Sequence, residues 1–157
     1  MRREMIEILE KISLFKGLDY SVLADISLLC NAIELTDGEE LICEHDDCGW
    51  DLFILTKGNV EVISRSSASI NGEVVLSKKD KDIFGEVSWL VRQPRTATVR
   101  SVGTVEAVKI DGDKLMEYME HDTRTGFIIA QRIACLLAGR LKHTDDLLKQ
   151  LLWNGCI

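Results

Sequence analysis

Apolar side chains recur along residues 4–16 at Met5, Ile8, Leu9, Ile12 and Phe15, the three-and-four spacing of an amphipathic helix. Residues 18–32, LDYSVLADISLLCNA, continue that rhythm and predict a second helix. Ser21 is placed to cap it, and Asp25 supports its first turn. At Ile33 the period falls from about 3.6 to two. IELTDGEELICEH then predicts strand, Asp-Gly turn, strand, since Asp-Gly between alternating runs is a strong hairpin signal. Residues 51–66, DLFILTKGNVEVISRS, repeat that layout about a Lys-Gly-Asn turn, with Val60 and Val62 alternating around an outward Glu61. SINGEVVLSKK supplies an Asn-Gly turn and a further strand, and residues 96–111, TATVRSVGTVEAVKID, two more about Gly103. Many short strands with turns at such intervals predict an antiparallel sandwich or a jelly-roll barrel.

After Asp111 the helical period returns. GDKLMEYMEH predicts a short amphipathic helix, and GFIIAQRIACLLAGRLKHTDDLLKQLLW a long one. In the long helix Leu137, Leu141, Thr144, Leu148 and Leu151 step by four and three in turn, the seam of a coiled coil. A second stripe, Ile133, Leu136 and Leu147, runs beside it. One stripe suits the sheet and the other a partner helix, so a homodimer through this helix is expected; a single wide core face is the alternative.

Length and composition narrow the class. The chain has 157 residues, enough for one domain with a real core, and 46% hydrophobic with 29% charged residues is ordinary for a globular protein. The formal net charge of −7 argues against nucleic acid as a partner, because phosphate backbones are held by clustered Lys and Arg. No apolar run reaches the ~18 residues of a membrane span, so no membrane partner is expected. MRREMIEILEKI lacks the apolar core and cleavage site of a signal peptide. The five cysteines, an odd number without framework spacing, fit a reducing cytoplasm. Cys30 and Cys135 fall on apolar helix faces and are expected to be buried.

The least ordinary stretch is IFGEVSWLVRQPRTATV, residues 83–99. It holds the only proline and places Glu86 and Arg95 nine residues apart around a small turn. Phe84-Gly85-Glu86 ends a strand, and residues 86–90 predict one or two helical turns stopped by Pro94. A helix opening on glycine offers free backbone N–H groups to an anion, and Gly85 lets a ligand approach the backbone. Arg95 adds a guanidinium matched to two phosphate oxygens. Glu86 would repel phosphate, so its presence suggests a hydroxyl on the same ligand. An anion beside a hydroxyl on one small molecule points to a sugar phosphate.

The run G-E-x-x-x-L-x-x-x-P-R-T-A-T-V resembles the phosphate-binding cassette of cyclic nucleotide-binding domains, as in cyclic-nucleotide-dependent kinases and catabolite activator-type regulators. LEKISLFKGLDYSVLADI is similar to the family's N-terminal helical segment; Gly38-Glu39, Leu52-Phe53-Ile54-Leu55 and Gly58 resemble its early strands and turn glycine. The resemblance implies an α+β fold: an antiparallel β-roll, jelly-roll-like, flanked by N-terminal helices and by a C-terminal helical hinge and long helix. It spans a single domain over residues 1–152, with helices in 1–32, the β-roll in 33–111 carrying the cassette at 83–99, and helices in 112–152. It implies a cyclic nucleotide, cyclic AMP or cyclic GMP, as ligand and no other cofactor. Glu86 would accept from the ribose 2′-hydroxyl and Arg95 would pair with the cyclic phosphate. Amides near Val87, Ser88 and Thr96, with Gly85 at the turn, would complete the cradle. A hydroxyl at Thr96 can contact the purine, but both nucleotides are found with one, so the base stays open. Arg140-Leu141-Lys142-His143-Thr144 is similar to the helix stretch that carries a base-contacting threonine, making Thr144 a candidate; Trp153 as a stacking lid is a further one. Ser88 and Trp89 depart from the small or aliphatic residues common in the cassette turn. The regulators continue into a helix-turn-helix; with Asn154–Ile157 alone after the long helix, no DNA-binding domain is expected.

Four other readings compete with a ligand-binding site. Glu86 and Arg95 as a bare ion pair would not need the glycine, the proline and the Thr-Ala-Thr-Val run together. Cys43-x-His45-x-x-Cys48 has metal-like spacing but lacks a second ligand pair, so no metal is expected. No nucleophile elbow or H-E-x-x-H run occurs, and a non-enzymatic regulatory sensor is expected. A ligand-independent interaction module on the same fold, with a protein effector as partner, remains the alternative.

Overall fold

The computed structural model describes residues 2–47, 49–65, 73–80 and 82–155. Its elements run α1 (Arg2–Lys11), α2 (Tyr20–Ser27), β1 (Cys30–Leu35), β2 (Glu40–Ile42), β3 (Leu52–Arg65) and β4 (Glu73–Asp80). They continue with β5 (Ile83–Phe84), α3 (Glu86–Val91), β6 (Thr98–Ile110), α4 (Gly112–His121) and α5 (Thr123–Gly155). The expected order, strands between helical ends, is the observed one. Both N-terminal helices are shorter than their apolar periods predict. The N-cap of α2 is Asp19 rather than Ser21, and it makes no side-chain capping bond.

Among the described residues the strands form one antiparallel sheet in the order β1-β6-β3-β4, with β2 joining β6 and β5 joining β3. It is rolled, not a closed barrel. The Asp37-Gly38 turn does not make a hairpin of its flanking strands. β1 pairs with residues 105–110 of β6, and β2 with its start near Val99 and Arg100. The turn itself docks on β6: Gly38 N donates to Ser101 O at 3.1 Å and Gly103 N to Asp37 Oδ1 at 2.7 Å. A longer neighbour thus captures both short strands.

Two further expected turns prove to be bends within long strands. β3 runs through Lys57-Gly58-Asn59 and β6 through Gly103, with shifts of their mutual register around Lys57. Gly58 has φ +92°, and a Cβ there would lie 2.5 Å from Thr104 O, so only glycine fits. The Asn71-Gly72 turn lies outside the described residues.

Alternation along β3 distributes the core. Leu52 and Ile54 join a cluster with Leu9, Phe15, Ile26, Leu115, Ile129 and Ile133, where the helices meet the sheet. Phe53 and Leu55 point the other way, into the roll with Leu35, Ile42, Phe84, Val99 and Val105. Asp111 caps α4 by accepting from Lys114 N at 3.1 Å. Cys30 is buried as expected, but at the start of β1 rather than on a helix face, and burial pushes its thiol up to about 12. Cys135 is exposed, contrary to expectation, on a groove it lines with Leu14, Ile83 and Leu136.

Candidate functional site

The chain turns sharply at Gly85, whose φ of +86° is the left-handed conformation that favours glycine. β5 ends there and α3 starts, so the short helix opens over the mouth of the roll. α3 stops at Arg92, itself left-handed at φ +53°, and the loop through Pro94 returns the chain to β6. Gly85, Glu86, Val87, Ser88, Arg95 and Thr96 line one cavity together with Ile42, Phe84, Ala97, Val99 and Arg140. Six of the seven residues singled out from the sequence therefore meet in one place. Thr144 does not line it; exposed on α5, its hydroxyl donates to Arg140 O at 3.0 Å.

Arg95 is buried at 7% exposure and its guanidinium crosses the floor of the cavity. Nη1 donates to Ser88 Oγ at 2.7 Å and Gly85 O at 3.1 Å; Nη2 donates to Asp51 O at 2.9 Å and Gly49 O at 3.3 Å. Its backbone is held too, with Arg95 N on Asp46 O and His45 N on Arg95 O, both at 2.9 Å. Loss of solvent pulls the guanidinium below its usual value, against the nearby charges of Asp51, Asp46 and Glu86. A Cβ on Gly85 would lie 2.6 Å from Arg95 Nη1, so the glycine keeps the cation in place.

Glu86 is buried at 4% exposure and accepts from Arg140 Nη1. Arg140 Nη2 also donates to Asp82 Oδ1 at 2.7 Å and to Ile83 O at 2.5 Å. Burial raises the Glu86 carboxyl above its ordinary value; Arg140 opposes that rise without cancelling it. Arg140 was not singled out as a site residue from the sequence, where it only opened the run whose candidate was Thr144. Its signal was its place: it falls on the same stripe as Ile129, Ile133 and Leu136, the face α5 turns to the roll.

Trp89 fills no part of the cavity. It is fully buried behind α3 and donates Nε1–H to Gly112 O at 2.7 Å. Gly112 has no room for a side chain, since a Cβ would meet Trp50 O at 1.8 Å and the Trp89 ring at 2.7 Å. Arg92 adds an ion pair to Asp113 at 2.5 Å and lies over the Trp50 ring, 5.7 Å from its centroid. The cassette helix is thus fastened to the start of α4. Of the Cys43-His45-Cys48 run, Cys48 lies outside the described residues. Among those described, no three His, Cys, Asp or Glu side chains are grouped to hold a metal ion. None of the described helices is long and apolar enough to cross a membrane.

A rolled antiparallel sheet whose mouth carries a glycine-opened turn, a buried arginine and a buried glutamate defines a class of small-ligand-binding regulatory domain. The family profile described as "Cyclic nucleotide-binding domain" matches residues 32–122, and the chain belongs to that family. It is 25% identical over 143 residues to the dog (Canis lupus familiaris) "Cyclic nucleotide-gated channel beta-3", covering 89% of this chain and 18% of the channel. It is 26% identical over 150 residues to the "CRP-like cAMP-activated global transcriptional regulator" of Mycobacterium tuberculosis, covering 96% of this chain and 64% of the regulator. Among solved structures, a cyclic nucleotide-binding domain from Methylobacillus flagellatus superposes with a TM-score of 0.74 at 24% identity, over 92% of this chain and 80% of that one. The chain therefore spans less than two thirds of the curated relatives it matches, and about a fifth of the channels.

Proposed function

We propose that this chain is a cytoplasmic cyclic nucleotide sensor that binds its ligand without turning it over. Arg95 pairs with the cyclic phosphate, the amides of Val87 and Ser88 complete the seat with Gly85, and Glu86 accepts from the ribose 2′-hydroxyl. Thr96, which lines the cavity, is offered to the purine; Thr144, exposed on α5, reaches the base only if that helix is repositioned. The observation that carries this reading is that a buried cation and a buried carboxylate open onto one cavity within a single short turn.

The output follows from Arg140. Its guanidinium ties α5 to Glu86 and Asp82, so a ribose hydroxyl claiming Glu86 alters what holds the helix. A ligand can bias two positions of α5 only by its differential affinity for them, and exchange of the Glu86 partner supplies that difference.

A second reading, a ligand-independent interaction module, draws on the size of the cavity, about 90 Å³, and on the protein acceptors that already surround Arg95. Drug-sized ligands occupy about 300–1,000 Å³, so a nucleotide requires α5 to lift. Titration calorimetry with cyclic AMP, cyclic GMP and adenosine 5′-monophosphate separates the two. The sensor predicts binding of a cyclic nucleotide that Arg95→Ala weakens by about 100-fold or more, the cost of stripping a buried charge partner. Absence of heat with both cyclic nucleotides leaves the module.

A further inference from the structure

A second cavity lies where the end of α1, the strands β3 and β5, and α5 meet. Ile8, Ile12, Ile54, Ile83 and Leu136 give it apolar walls. At about 610 Å³ it falls within the range of about 300–1,000 Å³ that small-ligand sites occupy, whereas the cassette cavity offers about 90 Å³. The two cavities have no lining residue in common. Ser13, Ile83 and Leu136 also line a neighbouring groove of about 240 Å³ that runs past Arg132 and Cys135. An elongated apolar body therefore has room to continue along α5.

Charge narrows the choice of ligand. Four charged residues line the cavity, and three are already answered. Lys57 Nζ pairs with Glu106 Oε1 at 2.9 Å, and Asp82 Oδ1 accepts from Arg140 Nη2 at 2.7 Å. Lys11, the exposed last residue of α1, has no ion-pair or hydrogen-bond partner among the described residues. A mostly apolar chamber with one unanswered ammonium group fits a ligand that is apolar in its body and anionic at one end. A cationic ligand would meet Lys11 with every lining carboxylate already engaged.

We propose that this cavity binds a small aliphatic carboxylate, its chain against Ile12, Ile54 and Leu136 and its head group on Lys11. The site stands without the nucleotide reading; its effect on the cassette rests on that reading. Asp82 and Ile83 belong to the cavity wall and also hold Arg140, which donates to Asp82 Oδ1 and to Ile83 O. Leu136 lies one turn before Arg140 on α5. Entry of a nucleotide requires α5 to lift, which carries Leu136 out of the wall. A carboxylate packed on Leu136 thus favours the position of α5 in which the cassette cavity is small. Each ligand then weakens the other by the same factor, as linkage requires.

Titration calorimetry with decanoate, in the absence of nucleotide, tests the site. Saturable binding is expected, weakened about fivefold or more by Lys11→Gln, which removes the partner of the carboxylate. Lys16→Gln, at an exposed lysine that lines neither cavity, should leave it unchanged. Absence of binding, or equal effects of the two variants, overturns the site. Ser13→Trp, at an exposed position on the shared wall, should narrow the chamber without entering the core; undiminished binding to it overturns the location. Decyltrimethylammonium, of like chain and opposite charge, should bind more weakly, and equal or tighter binding overturns the choice of an anion. Cyclic AMP and cyclic GMP are then titrated with and without saturating decanoate. Several-fold loss of nucleotide affinity that Ser13→Trp removes supports the antagonism; unchanged affinity for a nucleotide that binds overturns it. If neither nucleotide binds, the functional reading and the antagonism fail together, and the decanoate titration alone decides the site.

Discussion

Glu86 holds its proton more tightly in the folded chain than in the unfolded one, because burial disfavours its charge more than Arg140 favours it. Between its ordinary value of 4.5 and the raised one, the folded state therefore binds the extra proton, and stability falls as pH rises through that window. Glu86→Gln should flatten this dependence, which urea denaturation at a series of mildly acidic pH values will read. Gly85 makes a second residue-scale case. Alanine there brings a Cβ against Arg95 Nη1 and Asp51 O at a backbone angle glycine alone adopts easily. Strain of about 1–3 kcal/mol is expected, together with a cyclic nucleotide affinity reduced about tenfold or more as Arg95 shifts. A Gly85→Ala variant that binds as tightly as the parent contradicts the placement of the cation.

At the scale of elements, α3 is the piece that joins the cavity to the C-terminal helices. Trp89 Nε1 donates to Gly112 O, so Trp89→Phe leaves a buried carbonyl without its donor and should cost about 1–3 kcal/mol in chemical denaturation. This variant should retain Arg95 and Glu86 in place, so a loss of coupling between ligand and α5 would separate transmission from binding. The cassette was legible in the sequence because its chemistry is local: glycine, acid, proline and arginine sit within a few residues. The elements flanking it were legible from period alone. What was not legible was anything fixed by distant strands. Asp37-Gly38 carries hairpin chemistry, yet β6 offers each flanking strand a better partner. Gly58 and Gly103 look like ends of strands and are bends within them, since a glycine at positive φ serves a turn and a bulge equally well. Arg140 was missed for the same reason: it meets Glu86 from 54 residues away.

Across the whole molecule, β6 is the strand on which the sheet is assembled. It pairs with β1, β2 and β3, all of which precede it in the chain. Cys30 finds its partner only at Ile110, and Leu52 likewise. Pairings between such remote segments carry a high closure cost and slow the search for the native arrangement. A fragment ending before Thr98 should therefore show no cooperative melting transition, and refolding of the full chain should be slow for its size. During synthesis the same topology imposes a delay. At about 5–20 residues per second, several seconds separate emergence of β1 from emergence of the strand that covers it. In that interval Leu52–Leu55 stand as an uncovered apolar ribbon, and the nascent protein depends on whatever in the cell shields such ribbons from one another.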